Sequence, residues 1–126
     1  MSDGLDSLFT LIDPPTVGSD NAVTHVRIDA VHPLFRGHFP ERPVLPGVVM
    51  AHIATLIISG MTGTPMRIVT ARAIKFLSPV DPHLTPELTF TAELRPGDND
   101  TGVEVRALAG ETTVMKLTAS VIRDER

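Results

Sequence analysis

The sequence predicts a single α+β domain in which one antiparallel sheet wraps around a central hydrophobic helix. The predicted elements run as two strands, a long loop, one helix and four strands. The strands alternate apolar and polar residues, so each offers one apolar face, and the helix is apolar nearly all round and needs cover. The chain has 126 residues, of which 42% are hydrophobic and none is cysteine. This composition fits one compact core, so residues 1–126 are predicted to form one domain.

The N-terminal part of the chain shows the first two alternating stretches. Leu8–Ile12 predicts a mixed strand, and Ala22–Ile28 predicts a second strand that follows a turn-forming stretch at Gly18–Asn21. The two strands could pair as a hairpin.

A long irregular loop and a buried helix come next. The stretch His32–Gly47 contains four prolines and two glycines, which exclude regular structure because each proline removes a donor and restricts its predecessor. Val48–Ile58 then predicts a helix, with Pro46 suited to its first turn and Gly60 to its C-terminal cap. Such a helix is expected to be buried on all sides.

Four more strands complete the predicted sheet. Turn signals at Pro96–Asp98 and Ala109–Gly110 separate the last three of them. The predicted strands are Arg67–Leu77, Glu87–Leu94, Val103–Leu108 and Thr113–Ile122.

Composition argues against several classes of function. The chain has 11 Lys and Arg against 15 Asp and Glu, a net charge of −4, no Trp or Tyr and only five Phe, so a nucleic-acid partner is not expected. The uncharged stretch Pro43–Met66 is interrupted by prolines and glycines and is too short in its apolar part to span a bilayer. The N-terminus has no basic region before an apolar run, so no secretory signal is predicted and a cytoplasmic location is expected.

Two segments carry a resemblance to a known family. The stretch Gly37–Pro40 reads Gly-His-Phe-Pro, and Pro43–Val48 follows it with Pro-Val-Leu-Pro-Gly-Val. This pattern resembles the active-site signature of the hot-dog-fold β-hydroxyacyl-ACP dehydratases of the FabZ and FabA type. Ala73–Pro82 is similar to the segment that these enzymes carry on the strand after the central helix. The resemblance implies a hot-dog fold and dehydration of a 3-hydroxyacyl thioester on acyl carrier protein to the trans-2-enoyl thioester, in fatty-acid or type II polyketide synthesis.

The chemistry of dehydration gives roles to residues in these segments. The reaction needs a base for the proton next to the carbonyl, an acid for the departing hydroxyl and donors for the thioester oxygen. His38 can act as a neutral base near neutral pH, with Phe39 and the proline after it limiting its movement. The backbone amides of Gly47 and Val48 begin the helix and can donate to the thioester oxygen.

His52 departs from the family pattern, which has a carboxylate at this helix position, fourteen residues after the catalytic histidine. Three interpretations stay open: His52 acts as the acid or as a donor that orients the hydroxyl, the substrate geometry differs, or the subunit is inactive. Glu41 is a possible replacement carboxylate. His52 could also hydrogen-bond a backbone carbonyl in a purely structural role.

The remaining predicted site residues concern the substrate and its carrier. The resemblance implies an apolar substrate tunnel beside the helix, no metal, and no cofactor other than the phosphopantetheine arm of the acyl carrier protein. Basic side chains near the motifs are candidates for contact with that acidic carrier, although an ordinary solvated set of charges is the alternative. The predicted substrate-binding residues are Phe39, Pro46, Gly47, Val48, Phe76 and Leu77, and the basic ones are Arg36, Arg42, Arg67, Arg72 and Lys75.

The resemblance also implies a dimer in which His38 of one protomer meets His52 of its neighbour, and the dimer can be a homodimer or a heterodimer with a paralogous hot-dog subunit. The chain is more similar to dehydratases of type II polyketide or aryl-polyene-like pathways than to those of housekeeping fatty-acid synthesis. Two alternatives remain. One is a non-catalytic subunit that binds acyl-ACP in a heterodimer, and the other is a hot-dog thioesterase, which lacks its usual carboxylate here.

Overall fold

The computed structural model describes residues 9–11, 16–17, 20–30 and 44–124. These form seven strands and one helix. The elements in chain order are β1 (Phe9–Leu11), β2 (Thr16–Val17), β3 (Asn21–Ile28), α1 (Gly47–Thr62), β4 (Met66–Phe76), β5 (Glu87–Pro96), β6 (Thr101–Ala109) and β7 (Thr112–Arg123).

All strands belong to one antiparallel sheet, as the sequence predicts. Its order is β1-β3-β5-β6-β7-β4, and β2 also pairs with β3. The predicted hairpin partner of β3 is confirmed, since Phe9 pairs with Ile28 in antiparallel register. Strand β4 follows the helix and pairs only with β7 among the described strands, so it forms the long free edge of the sheet.

One face of the sheet and one face of the helix form the core. In β3 the burial alternates strictly, so that every second residue points at the helix. Phe90 and Ile53 are fully buried, one from the sheet and one from the helix. The helix residues that face the sheet are Val49, Met50, Ile53, Ala54, Ile57 and Ile58.

The helix is not covered on every side, and this prediction is wrong. Val48 and Leu56 are 71% and 41% exposed, and Gly60 is also exposed. The reason is geometric, because a single sheet with one concave face reaches only one side of a helix. The opposite stripe needs cover from elsewhere.

The helix also ends later than predicted. It continues past Gly60 to Thr62, and the cap is Gly63 in the left-handed conformation at φ 76°. The Gly63 amide donates to the Ser59 carbonyl at 2.9 Å. Glycine adopts this conformation without the steric cost that a Cβ brings, which places the cap at residue 63.

Candidate active site

The site begins at the start of α1. Pro46 is the N-cap in an extended conformation, with φ −63° and ψ 143°. The first helix amides that find an acceptor are those of Val49 and Met50, both directed to the Pro46 carbonyl at 3.1 and 3.4 Å. The amides of Gly47 and Val48 lie before them, in the turn that a helix leaves without internal acceptors. They are positioned to donate to a ligand at the positive end of the helix dipole.

The aromatic ring of Phe76 packs on this helix start. A Cβ built on Gly47 would stand 2.7 and 2.8 Å from the ring atoms Cε1 and Cε2 of Phe76, with Cζ closer still. Real Cβ atoms do not approach carbon this closely, so a side chain at residue 47 would require the exposed Phe76 ring to move.

Backbone hydrogen bonds hold these two residues together. Phe76 ends β4, and the amide of Leu77 donates to the Val114 carbonyl of β7 at 2.8 Å. The chain then turns back towards the helix, where the amide of Leu45 donates to the Val80 carbonyl at 2.8 Å. The segment between Leu77 and Val80 is therefore fixed at one end to the sheet and at the other to the residue that precedes the N-cap.

An apolar cavity of about 360 Å³ lies between these two segments. Its volume is that of a small ligand site. Of the predicted substrate-binding residues, Pro46, Gly47, Phe76 and Leu77 line it, whereas Val48 is not part of its wall. Residues that the sequence reasoning missed complete the lining: Val44, Leu45, Met50, Ser78, Pro79 and Val80.

The sequence contains a signal from which part of this missed cavity lining could have been predicted. Ser78, Pro79 and Val80 fall inside the Ala73–Pro82 segment on which the family resemblance rests. The proline-bounded turn after β4 could therefore have been assigned to the cavity wall from the sequence. Met50 could not, since it resembles every other apolar residue of the helix.

His52 lies in the second turn of α1, half-buried, on the stripe of the helix that the sheet does not cover. Val48 and Leu56 flank it one turn before and one turn after. Residues four apart share one face of a helix, so the imidazole stands between two exposed apolar side chains. It does not line the cavity between α1 and the segment after β4.

The other predicted catalytic residue, His38, lies outside the described residues. The same holds for Phe39, for the possible carboxylate Glu41 and for the basic residues Arg36 and Arg42. Their roles stay predictions.

The loop after β4 contains His83. It is exposed, and its amide donates to the Asp81 carboxylate at 2.9 Å. The amides of Leu84 and Thr85 donate to the Asp81 carbonyl at 3.0 and 2.7 Å. Asp81 therefore organises this turn, and His83 lies exposed on it.

The described residues contain neither a metal-binding cluster nor a membrane-spanning helix. Across residues 9–11, 16–17, 20–30 and 44–124, no three His, Asp or Glu side chains cluster as a metal site would require. In this part of the chain no helix is both long and apolar enough to cross a membrane, since α1 has 16 residues.

Comparison with known proteins assigns the family. The family model described as "ApeI-like: ApeI dehydratase" matches residues 15–114, a range that contains both His38 and His52. The chain belongs to the ApeI-like dehydratase family. The sequence resemblance to hot-dog dehydratases is thereby confirmed.

Curated relatives of this ApeI-like chain include 3-hydroxyacyl-[acyl-carrier-protein] dehydratases FabZ of two Thermotoga species. The FabZ proteins of Thermotoga petrophila and Thermotoga maritima are each 33% identical to it over 93 residues, which is 71% of this chain and 59% of theirs. The chain therefore matches somewhat more than half the length of these relatives.

Solved structures show the fold of this ApeI-like chain. The dehydratase heterocomplex ApeI:P from Xenorhabdus doucetiae superposes with a TM-score of 0.71 at 18% identity, covering 90% of this chain and 97% of that one. An uncharacterised protein from Pyrococcus horikoshii superposes with a TM-score of 0.68 at 17% identity, covering 92% and 85%. The predicted hot-dog fold, one antiparallel sheet around a central helix, is confirmed.

Proposed function

We propose that this chain dehydrates a 3-hydroxyacyl thioester carried on acyl carrier protein to the trans-2-enoyl thioester. The observation that carries the proposal is the ligand-sized apolar cavity at the start of α1 in a chain of the ApeI-like dehydratase family. The cavity has Gly47, the first residue of the helix, on one wall and mainly apolar side chains on the others. This combination suits a thioester whose oxygen needs donors and whose acyl chain needs an apolar surface.

In the proposed reaction the amides of Gly47 and Val48 donate to the thioester oxygen as negative charge develops on it. His38 takes the proton from the carbon next to the carbonyl. His52 does not line the cavity, so it is proposed to meet the third carbon at the uncovered face of α1. There it gives a proton to the departing hydroxyl, one water is released, and a double bond forms between the second and third carbons. Phe76 covers Gly47 at rest, so its ring must turn aside for the thioester to reach the amides.

The site is proposed to be completed by a second hot-dog subunit. The support is the exposed stripe of α1 on which His52 stands between Val48 and Leu56, together with the free edge of β4. An apolar stripe beside a long unpaired strand is a surface that natural proteins cover. In this arrangement His52 faces the histidine of the neighbouring subunit, as the family resemblance implies.

A non-catalytic acyl-ACP-binding subunit is the second candidate. The specific observation in its favour is His52, which occupies the helix position where the family places a carboxylate. The heterocomplex among the structural neighbours is described as containing two components, ApeI and P. A subunit that contributes only a surface and part of a site would fit such an assembly.

The deciding experiment incubates the protein with 3-hydroxyacyl-ACP substrates and follows the acyl-carrier mass, with His38→Ala and His52→Ala beside the wild type. The proposal expects loss of the mass of one water with the wild type and none with His38→Ala. No mass change with any substrate, followed by turnover when a paralogue with an intact His and carboxylate is added, would favour the non-catalytic candidate. Release of free thiol would instead identify a thioesterase.

The substrate class can be narrowed in the same assay. We propose unsaturated or aromatic-capped 3-hydroxyacyl chains, as in aryl-polyene-like or type II polyketide assembly, in preference to saturated ones. The support is the absence of the usual helix carboxylate together with the His32–Phe35 entry to the motif. Equal or higher rates on saturated chains would remove this preference. A cytoplasmic location and the phosphopantetheine arm as the only carrier group belong to the same proposal.

A further inference from the structure

Three cations lie side by side across the outer face of the sheet. Arg106 on β6 pairs directly with Lys116 on β7, and Lys116 pairs directly with Lys75 on β4. All three side chains are exposed. Met115 and Leu117, on either side of Lys116, are buried in the core, so the cations point away from the helix. We refer to Arg106, Lys116 and Lys75 as the cation row.

The charges of the cation row are not compensated within the sheet. Like charges directly opposite each other on neighbouring strands are destabilising. In the part of the chain that the structure describes, none of the three cations takes part in an ion pair or side-chain hydrogen bond. Glu104, two residues before Arg106 on the same face, is ion-paired with Arg95 at 2.6 Å instead. The row is thus a local positive charge in a chain whose net charge is −4, and a partner can neutralise it.

The size of the cation row favours a protein partner. Neighbouring strands are about 4.8 Å apart, so the three cations span about 10 Å across the sheet. Carboxylates at positions i, i+4 and i+7 of a helix also span about 10 Å along one face. A broad polyanion, such as a membrane surface or a nucleic acid, would in addition cover Glu104 on one side of the row and Glu111, in the β6–β7 turn, on the other. The row therefore matches an acidic helix better than an extended negative surface.

The cation row lies close to the candidate active site, around the end of the sheet. Lys75 is followed by Phe76 and Leu77, which both line the cavity at the start of α1. Two residues of strand correspond to about 7 Å. A carrier protein on the row would therefore have the cavity within reach of its phosphopantetheine arm, which passes around the end of β4.

We propose that the cation row is the surface on which the acyl carrier protein docks, through a helix whose carboxylates meet Arg106, Lys116 and Lys75. The inference rests on the proposed function, because the partner is the carrier of the proposed substrate. It places the docking contact on the outer face of the sheet, opposite the face that packs on α1.

The cation row differs from the set of carrier contacts that the sequence predicts. Of the described residues in that set, Lys75 belongs to the row, whereas Arg67 pairs opposite Ile122 and Arg72 lies at a register shift of β4. Lys116 and Arg106 are distant from Lys75 in the sequence, and only the sheet register brings the three together.

Binding of holo acyl carrier protein to the full chain provides the first test, measured by fluorescence anisotropy of the labelled carrier. Lys116→Glu reverses the central charge and is expected to weaken binding by about tenfold or more at low salt, and wild-type binding is expected to weaken as salt rises. Lys116→Arg keeps the charge and should keep the affinity. Arg123→Glu is the matched control, since it makes the same charge change on an exposed cation at the other end of β7.

The binding test has clear contrary outcomes. Lys116→Glu lies at an exposed position between two cations, so the substitution is expected to keep the fold. Affinity unchanged in Lys116→Glu would overturn the inference. An equal loss in Lys116→Glu and Arg123→Glu would overturn it as well, because it would show that only the net charge of the chain matters.

Kinetics supply the second test, with the same 3-hydroxyacyl group carried either on acyl carrier protein or on free pantetheine. Lys116→Glu is expected to lower kcat/KM for the carrier-bound substrate by about tenfold more than for the pantetheine thioester, mainly through a higher KM. Equal losses on the two substrates would overturn the docking role, because the pantetheine thioester has no protein to dock.

Failure of this inference is distinguishable from failure of the proposed function. Carrier binding that depends on the cation row, without dehydration of any substrate, would overturn the proposed reaction and leave the docking surface standing. Dehydration of carrier-bound substrates that Lys116→Glu does not affect would do the reverse. Binding to phosphatidylglycerol vesicles that Lys116→Glu abolishes, without binding to the carrier protein, would assign the row to a membrane surface and overturn the inference.

Discussion

The ring of Phe76 occupies the space that a side chain at residue 47 would need. Two of its ring carbons lie 2.7 and 2.8 Å from the position of a Cβ on Gly47. The last residue of β4 and the first residue of α1 therefore pack in this arrangement because one of them has no side chain. The contact brings the end of the edge strand onto the amides proposed to hold the thioester oxygen.

Substituting Gly47 tests this contact. Gly47→Ala forces the Phe76 ring away and is expected to lower the free energy of unfolding by about 1–3 kcal/mol, as overpacking does. The smaller side chain in Gly47→Ala/Phe76→Leu should restore most of the loss. Urea unfolding of the three proteins measures it. The control is Gly60→Ala in the same helix, where an added Cβ meets nothing within 4 Å. A Gly47→Ala protein as stable as this control would contradict the reported packing.

The helix cap provides a second prediction. Gly63 has φ 76°, and Gly63→Ala is expected to destabilise the protein by about 1–2 kcal/mol because a Cβ is strained in the left-handed region. Gly60→Ala is expected to change stability in the other direction, by about 0.5–1 kcal/mol, because alanine favours the helix interior more than glycine. Thermal unfolding of both variants would show opposite shifts. A loss of stability in Gly60→Ala and none in Gly63→Ala would mean that the helix ends at Gly60, as the sequence predicts.

The buried hydroxyl of Thr24 leads to a third prediction. Thr24 lies on β3 opposite Phe90, both are fully buried, and its Oγ1 has no hydrogen-bond partner among the described residues. Thr24→Val replaces the hydroxyl by a methyl group of similar size and should stabilise the protein by about 1 kcal/mol. Thr91→Val, on the neighbouring strand and half-exposed, is the control and should change little. A loss of stability in Thr24→Val would indicate that the hydroxyl does find a partner.

The fourth prediction tests whether His52 acts as a proton donor, using variants that are expected to keep the stability of the wild type. His52 is half-buried on the open stripe of α1, so His52→Gln and His52→Glu are expected to fold as the wild type does. If His52 supplies the proton to the departing hydroxyl, His52→Gln loses at least about 100-fold in turnover, the usual scale of general acid catalysis. His52→Glu restores the family's carboxylate and should retain activity. Turnover unchanged in His52→Gln would remove His52 from the reaction.

Much of this architecture was predictable because alternation is a strong local signal. The predicted Glu87–Leu94 lies within β5 at Glu87–Pro96, and the predicted Val103–Leu108 lies within β6 at Thr101–Ala109. Strand β2 was not predictable, because its two residues, Thr16 and Val17, are too few to show an alternating pattern.

The exposed face of the helix was not predictable in the same way. An apolar stripe looks the same in the sequence whether it contacts the chain's own sheet or another protein, so the sequence predicts a helix buried on all sides. The contact between Gly47 and Phe76 was also beyond the sequence, although both residues were predicted to bind substrate. Nothing in either motif indicates that one lies on the other, because the relation depends on how the turn at Leu77–Val80 bends.

Strand β4 is tied to the helix at both ends. At its far end from Phe76, the Met66 amide donates to the Ser59 hydroxyl at 2.9 Å. The strand is therefore attached to both the first and the last turn of α1, so any chain that paired with it would contact an element fixed to the helix. Exposure at the edge of the sheet and attachment to the helix thus constrain the same 11 residues. A substitution at either end of this strand must therefore be compatible with the helix as well as with the sheet.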